Sequence, residues 1–289
     1  MEINNEYRRV LVPVDGSESS YHALEQAFQF SSTEKSWITV ACVAPYYQGD
    51  LRTLGPVATL RCKMREPCEK ALTRAKEIAA RQGHIIKTVL LEEGEPANRI
   101  VDLAVADNCE LIIMGRRGLS DLERVFVGSV TQRVIGHSHG DVVVVPDGAP
   151  LAWEKILVAT DGSPCSLAAV ERAVRFAAAY GGTIEVVSVI DVPAELYGDA
   201  PDLATELERL ATGYADDAVQ AAKAKGITAT AHVVEGVAYD IIPDLARSLG
   251  AQVIVVGSHG RTGMRRLLMG SVAEKIIGYA SCPVLVARP

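Results

Sequence analysis

A glycine-rich pattern of the kind that binds anions occurs twice in this chain of 289 residues. It consists of two glycines three positions apart, a gap of nine residues, and a third glycine followed by Ser and Val. Its members are Gly115, Gly118, Gly128, Ser129 and Val130 in the first half, and Gly257, Gly260, Gly270, Ser271 and Val272 in the second. The spacing is the same in both halves, which indicates that the chain is a duplication.

Each copy follows an apolar run, over 111–114 and 253–256, that is typical of a buried strand. We expect its glycines to form a turn with positive φ that leaves backbone N–H groups exposed. The Gly-Ser pair then opens a helix with Val272, Ile276, Ile277 and Ala280 on one face, so its free N–H groups and positive dipole end point toward the turn. The pattern therefore predicts an anion site. The alternative is a structural turn with Ser271 as a helix cap.

An acidic residue follows the first predicted strand of each half. Asp15 comes after the strand over 9–14, and Asp161 comes after the strand over 155–160. In an open α/β sheet, ligands bind at the carboxyl ends of the strands, where these two side chains lie. A turn or helix cap is the alternative role for each carboxylate.

These residues together resemble the nucleotide-binding signature of the universal stress protein family. The runs Val12-Pro-Val-Asp-Gly-Ser17 and Val158-Ala-Thr-Asp-Gly-Ser163 are similar to the start of that family's domain, and the resemblance covers almost the whole chain. It implies that the ligand is ATP or AMP, bound with or without magnesium. It also implies that Val14, Asp15, Thr160 and Asp161 belong to the nucleotide sites, and that the backbone near Val43 or Val189 recognises the base. The phosphates would lie on the two glycine patterns.

Strands and helices alternate along both halves, which favours a parallel sheet with helices on both faces. We expect two tandem doubly wound, Rossmann-like domains of the adenine-nucleotide alpha-hydrolase-like type, over 1–147 and 152–289. Further strands are predicted over 37–43, 85–91, 111–114, 142–145, 183–190, 227–234, 251–256 and 282–287. The resemblance implies that 142–145 and 284–287 pair as an intrachain pseudo-dimer, and it leaves room for a homodimer of chains.

Two segments without periodicity, 44–60 and 191–200, are predicted loops that could cover the sites. The helix over 61–82 that follows the first loop is expected to be interrupted at Pro67. The second half departs from the family at Gly236-Val237-Ala238, where a Gly-x-Pro is usual, so that turn is expected to be less rigid.

Composition excludes several classes of protein. The net charge of −7 argues against a nucleic-acid binder, and no apolar run approaches the roughly 20 residues of a membrane span. The amino terminus lacks the features of a signal peptide, so we expect a cytoplasmic protein. The six cysteines lack zinc spacing and are expected to be free thiols, with Cys42 and Cys109 in the core. A redox pair of Cys62 and Cys68 is the alternative.

Three functions fit these residues. The first is a stress-response regulatory protein that binds adenine nucleotide in one or both halves. The second is a slow magnesium-dependent ATPase or phosphotransfer enzyme, in which Asp15 and Asp161 could serve the metal, although the chain has no Walker loop. The third is an interaction module that binds no nucleotide. Arg116 and Arg117, inside the first glycine turn, either strengthen a phosphate site or point to solvent, and we expect solvent for at least one.

Overall fold

The computed structural model describes residues 7–45, 57–118, 127–191, 201–261 and 269–289. The chain forms two compact units, one ending at Gly148 and the other beginning at Ala149. Each unit is an α/β domain in which strands and helices alternate.

The described part of the first unit contains five strands and four helices. Its strands are β1 (Arg9–Pro13), β2 (Trp37–Pro45), β3 (Ile86–Gly94), β4 (Leu111–Gly115) and β5 (Asp141–Val145). Its helices are α1 (Glu18–Glu34), α2 (Val57–Gln82), α3 (Pro96–Ala106) and α4 (Ser129–His137). The strands are parallel and lie in the order β3-β2-β1-β4-β5.

The described part of the second unit repeats this arrangement. Its strands are β6 (Lys155–Ala159), β7 (Thr183–Ile190), β8 (Ala229–Glu235), β9 (Val253–Gly257) and β10 (Val284–Ala287). Its helices are α5 (Pro164–Tyr180), α6 (Pro201–Lys223), α7 (Ala238–Leu249) and α8 (Ser271–Tyr279). The strands are parallel and lie in the order β8-β7-β6-β9-β10. The predicted doubly wound fold is confirmed in both halves, whereas the pairing of the halves through their last strands stays a prediction.

The strand order of each sheet reverses beside its first strand. β1 lies between β2 and β4, and β6 lies between β7 and β9, so the helix connections leave in opposite directions on either side. Such a switch point opens a crevice at the carboxyl ends of the strands. The fold therefore places Asp15 and Asp161, which directly follow these strands, at the two crevices.

The helices that follow the first strands begin at well-formed caps. Ser17 accepts a hydrogen bond from the N–H of Ser20 at 3.2 Å, and Ser163 accepts one from the N–H of Ser166 at 3.2 Å. A serine at the N-cap satisfies one of the amide donors that a helix leaves unpaired at its start. The Asp-Gly-Ser sequence of each half therefore both turns the chain and starts a helix.

Helix α2 corrects two predictions made from the sequence. It begins at Val57, so 57–60 is helical rather than part of the predicted loop, of which 46–56 lies outside the described residues. It also runs through Pro67 without interruption. Proline removes one amide donor, and the apolar side chains that the following turns of this 26-residue helix pack into the core offset the loss. Of the second predicted loop, 192–200 also lies outside the described residues.

The expectation that all cysteines are free thiols is wrong for two of them. Cys42 on β2 and Cys68 on α2 form a disulfide, whereas Cys62 is exposed and unbonded. The predicted burial of Cys42 and Cys109 is confirmed. Sequence distance favoured Cys62 and Cys68 as a pair, but α2 packs along β2 and brings Cys68 to Cys42 instead.

None of the described helices combines the length and the apolar character that crossing a membrane requires. The cytoplasmic location itself stays a prediction.

Aromatic packing anchors the core of the second unit. Phe176 on α5 is fully buried and stacks on Trp153 with ring centroids 3.8 Å apart. We expect Phe176→Ala to lower the free energy of unfolding of this unit by about 3–5 kcal/mol, because the truncation leaves a cavity. Leu167→Ala on the same helix, where the side chain is 56% exposed, should change it by less than about 0.5 kcal/mol. Denaturant unfolding followed by circular dichroism tests this prediction, and equal effects of the two variants would contradict it.

Candidate functional site

Each unit contains one cavity at its switch point. The first has a volume of about 240 Å³ and lies at the ends of β1 and β4, and the second has a volume of about 360 Å³ at the ends of β6 and β9. The structure brings every sequence-predicted site residue to one of these cavities. The first is lined by Val14, Asp15, Val43, Gly115, Gly118, Gly128, Ser129 and Val130, and the second by Thr160, Asp161, Val189, Gly257, Gly260, Gly270, Ser271 and Val272. Their role in ligand binding stays a prediction.

The helix that opens onto each cavity begins without a side-chain cap in the part of the chain that the structure describes. The N-cap residues are Gly128 for α4 and Gly270 for α8, and neither can offer a side-chain acceptor. Ser271 is the first helical residue, so the alternative of Ser271 as the cap is wrong. An uncapped helix start presents amide donors and the positive end of the helix dipole, the combination that suits an anion.

Close contacts, rather than positive φ, explain the glycines of the two turns. None of the six glycines of the pattern has a positive φ, so that expectation is wrong. A Cβ atom on Gly118 would lie 2.2 Å from Asp15 Oδ2, and one on Gly260 would lie 2.8 Å from Asp161 Oδ2. Both distances are shorter than a carbon and an oxygen can tolerate, so only glycine allows the acidic side chain to reach the turn.

Asp161 connects two turns through its two carboxylate oxygens. Oδ1 accepts the backbone N–H of Ser163 at 3.0 Å, and Oδ2 accepts the backbone N–H of Arg261 at 2.9 Å. Burial raises the pKa of Asp161, but the hydrogen bonds from Ser163, Ser166 and Arg261 outweigh burial and hold the pKa below its ordinary value. The carboxylate is therefore charged at neutral pH and holds the glycine turn against the start of α5.

The corresponding aspartate in the first unit makes the same local contacts. Asp15 Oδ1 accepts the backbone N–H of Ser17 at 3.0 Å and the Ser17 hydroxyl at 2.6 Å. Its Oδ2 faces Gly118. Both aspartates therefore fit the alternative structural role as turn residues, which is compatible with their position at the cavity wall.

A backbone hydrogen bond closes each glycine turn onto the helix start. Gly128 N donates to Arg116 O at 2.9 Å, and Gly270 N donates to Ser258 O at 3.0 Å. The residues on either side of each nine-residue interval therefore lie close together. This clamp sets the uncapped helix start beside the glycine turn, so that both line one cavity.

The backbone of Val43 faces the first cavity beyond the end of the neighbouring strand. Ala41 O accepts the N–H of Val14 at 2.8 Å, and the β1–β2 ladder ends there. Because the backbone groups of residues two apart in a strand point the same way, the N–H and C=O of Val43 point past the end of β1. In the second unit Val187 O accepts the N–H of Thr160 at 2.9 Å, which leaves Val189 in the same position.

Each cavity also has an apolar wall that was not predicted from the sequence. Pro96 and Ile100 at the start of α3 line the first cavity, and Ala238 and Ile242 of α7 line the second. The apolar periodicity of these helices indicates that the four residues face inward, but it does not distinguish a position in the core from one at a cavity. Val272, predicted on the core face of its helix, is 42% exposed and lines the second cavity.

Charged residues differ between the two cavities. Arg117 lines the first cavity, and both it and Arg116 are half-buried rather than directed into solvent, contrary to the expectation for at least one of them. Burial lowers the pKa of Arg116, and the neighbouring Arg117 charge lowers it further. The second cavity is instead lined by His259, Arg261 and Asp191. Arg265 and Arg266, which belong to the nine-residue interval of the second glycine pattern, lie outside the described residues.

Comparison with known proteins gives matches over both halves. The model of the universal stress protein family matches residues 6–146 and 152–288. A universal stress protein of Mycolicibacterium smegmatis is 30% identical over 297 residues, which cover 97% of each chain. One from Methanocaldococcus jannaschii is 37% identical over 145 residues, covering 49% of this chain and 83% of that protein.

A solved structure supports the same fold for the full length of the chain. The crystal structure of a universal stress protein from Archaeoglobus fulgidus superposes with a TM-score of 0.73, covering 99% of this chain and 98% of that one. The two sequences are 23% identical, so this likeness concerns the fold alone.

The lowered pKa of Asp161 makes the stability of the second unit depend on pH. A carboxylate whose pKa is lower in the folded state stabilises the fold above its unfolded pKa of about 3.9, and this stabilisation is lost as the pH falls through the folded value. We expect Asp161→Asn to lower the free energy of unfolding by about 1–3 kcal/mol at pH 7, since an amide cannot accept both N–H groups, and by progressively less below about pH 4.

The measurement is urea unfolding at several pH values, followed by Trp153 fluorescence with Trp37→Phe in both proteins. These two are the tryptophans of the chain, and Trp153 lies in the second unit. Asp244→Asn, which alters an exposed ion pair with Arg247, is the matched control. A difference between the Asp161 proteins that does not vary with pH would contradict the prediction.

Proposed function

Because this chain belongs to the universal stress protein family and carries two of its domains, we propose that it is a stress-response regulatory protein that binds adenine nucleotide, ATP or AMP, in one or both domains. The observation that carries the proposal is the uncapped start of α4 and of α8, each clamped beside a glycine turn at a switch point.

Phosphate is the part of the ligand that suits the glycine side of each cavity. The amide groups at the starts of α4 and α8 and the N–H groups of the glycine turns supply donors without any positively charged residue. Arg117 in the first unit and Arg261 in the second line the same cavities and add positive charge. Ser129 and Ser271 add a hydroxyl at the first helical position.

The base suits the opposite side of each cavity. Val189 lies on β7, two strands from the glycine turn that ends β9, which is a distance of roughly 10 Å across the sheet. The base is the part of a nucleotide farthest from its phosphates. The N–H and C=O of Val43 or Val189 offer one donor and one acceptor at this distance, a pair that matches an adenine edge with its amino group and ring nitrogen.

The carboxylates favour binding over catalysis. A magnesium-dependent ATPase uses carboxylates to hold the metal, and magnesium is usually bound through one or two carboxylates together with the substrate phosphates. Both oxygens of Asp161 accept backbone N–H groups, and Oδ1 of Asp15 accepts two hydrogen bonds. A magnesium ion here would depend mainly on the nucleotide phosphates, and the two aspartates would keep the cavity in shape.

The direct test counts nucleotide in the purified chain. The protein is denatured, the released small molecules are separated by ion-pair chromatography, and the emptied protein is titrated with Mg-ATP and with AMP. Two nucleotides per chain would support both sites, and one would support a single site. A chain that carries no nucleotide and takes up none would refute the proposal and leave the interaction module in its place.

Two alanine variants separate the sites. Gly118→Ala places a Cβ atom against Asp15, and Gly260→Ala places one against Asp161, so in each variant either the carboxylate or the glycine turn of that unit must shift. We expect each variant to weaken nucleotide binding at its own cavity by at least about tenfold, equivalent to about 1.4 kcal/mol, and to leave the other cavity unchanged. Isothermal titration calorimetry of the two variants and the unaltered chain measures both sites.

Gly213→Ala is the matched control for these variants. Gly213 lies inside α6, and a Cβ atom there meets nothing within 4 Å of the described structure. This variant should bind as the unaltered chain does, because alanine is favourable inside a helix. Retained binding at the second cavity of Gly118→Ala shows that the chain is folded. Unchanged binding at the altered cavity would contradict the assignment of the glycine turns.

A further inference from the structure

We propose that Cys42 and Cys68 form a thiol–disulfide exchange site, oxidised by low-molecular-weight disulfides and reduced by low-molecular-weight thiols, which controls the first cavity and not the second. The pair joins β2 to α2 and closes a segment with a sequence separation of 26 residues. The influence on the cavity rests on the function proposed above, whereas the exchange reaction does not.

The disulfide is attached to the strand that forms the cavity wall. Cys42 directly precedes Val43, which lines the first cavity. Successive side chains of a strand point to opposite faces of the sheet, so the disulfide anchors β2 from the face opposite the Val43 side chain. A change in how α2 holds β2 therefore acts on the backbone groups that are proposed to contact the base.

The disulfide also marks the place where α2 first enters the core. The described side chains at 62–67 are exposed or half-buried, whereas Cys68 is 6% exposed and is followed by the buried Ala71 and Leu72. Pro67, just before Cys68, lacks the amide donor that would strengthen the helix there. Without the covalent bond, the part of α2 over 62–67 has few buried contacts and opens more readily.

Beyond Cys68, α2 contacts the first turns of α1, the helix that follows Asp15. Tyr21 donates to Ala71 O at 3.4 Å, and Arg74 pairs with Glu18 at 2.8 Å while lying over the Tyr21 ring. Glu18 and Tyr21 belong to the first turns of α1. Ser17 is the N-cap of this helix, and Asp15 lies two residues before it. The Arg74–Glu18 pair is exposed and individually weak, so the contact between α2 and α1 depends mainly on the buried part of α2 that begins at Cys68.

The second unit lacks this pair at the equivalent positions. The hydrogen bonds from Val14 to Ala41 and from Thr160 to Val187 align Cys42 with Ser188. The helix ends, where Gly83 N donates to Ala80 O and Gly226 N donates to Lys223 O, align Cys68 with Ala211. Ser188 and Ala211 are buried, as are the two cysteines. The same position in the fold is therefore redox-sensitive in one unit and inert in the other.

The reaction balances with one external disulfide. In the reduced chain, one cysteine thiolate attacks a disulfide R–S–S–R, forms a mixed disulfide and expels RS⁻. The second cysteine thiolate then attacks the protein sulfur of that mixed disulfide, closes the Cys42–Cys68 bond and expels the second RS⁻. The two protons of the cysteine thiols end on the two RSH molecules. Reduction by excess RSH is the reverse. Because both sulfurs are buried, exchange proceeds through local opening of α2.

The first experiment requires no nucleotide. The full chain is equilibrated in glutathione buffers of graded redox ratio, quenched with acid, and its free thiols are counted after denaturation. We expect four free thiols at the oxidising end and six at the reducing end, with the bond mapped to Cys42 and Cys68 by mass spectrometry of alkylated peptides. The melting temperature of the first unit should fall by roughly 10 °C on reduction. Six free thiols throughout, or a bond that excess thiol leaves intact in the folded chain, would overturn the exchange site.

The second experiment measures nucleotide binding in the two redox states. In the Gly260→Ala chain, which keeps the first cavity, we expect reduction to weaken binding by about tenfold. In the Gly118→Ala chain, which keeps the second, we expect no change. Equal affinity of the first cavity in both redox states would overturn the coupling while leaving the proposed function intact. If neither chain binds nucleotide in either state, the coupling falls with the proposed function, and the thiol count still decides the exchange site.

Two cysteine variants complete the test. The double variant Cys42→Ser and Cys68→Ala gives the first unit the pair that the second unit carries, so it should fold but lose the redox response. Cys62→Ser removes an exposed free thiol on the same helix and should keep the full response. A response that disappears with Cys62→Ser, or persists in the double variant, would assign the exchange to another cysteine and overturn the proposal.

Discussion

The contact between an aspartate and a glycine turn is the constraint on which each candidate site depends. A carboxylate at the end of the first strand reaches across the switch point to a turn that belongs to the fourth strand, and it can do so because no Cβ atom lies in its way. In the second unit, the same carboxylate accepts one N–H group from each of the two turns, which joins the turns at the switch point. Both turns line the cavity beside this contact, because the contact holds them next to each other at the ends of the strands.

Glycine serves a different purpose on the two sides of this contact. Gly16 and Gly162, which follow the aspartates, have positive φ values of 95° and 75° and allow the chain to turn into its helix. Gly118 and Gly260 have ordinary backbone conformations and are required by the space that the carboxylate occupies. One residue type thus answers a conformational requirement at one position and a packing requirement at another, which a sequence pattern alone does not separate.

Duplication has preserved this constraint while the surroundings of the two cavities have diverged. The first cavity has Arg117 and the proline of α3 in its wall, and its second strand is covalently bound to a helix. The second, larger cavity has His259 and Asp191, and uncharged small residues occupy the positions of the two cysteines. Arg117, His259 and Asp191 line the cavities without belonging to the aspartate–glycine contact, so they can change without loss of the turn geometry. The two cavities can therefore differ in their charged walls while the fold around them is kept.

The sequence by itself determined the fold class, the duplication and the glycine and acidic residues that line both cavities, because strand ends and glycine turns are local features with a fixed order and spacing. It also placed Asp15 and Asp161 at the cavities, since the first strand of a doubly wound sheet ends at the switch point. Only the tertiary structure decided that the glycines are required for close contact, that the buried side chains of Ile100 and Ile242 also form cavity walls, and that Cys42 bonds to Cys68 rather than remaining free. Each of these depends on which residues of different elements come into contact, and periodicity along the chain does not predict such contacts.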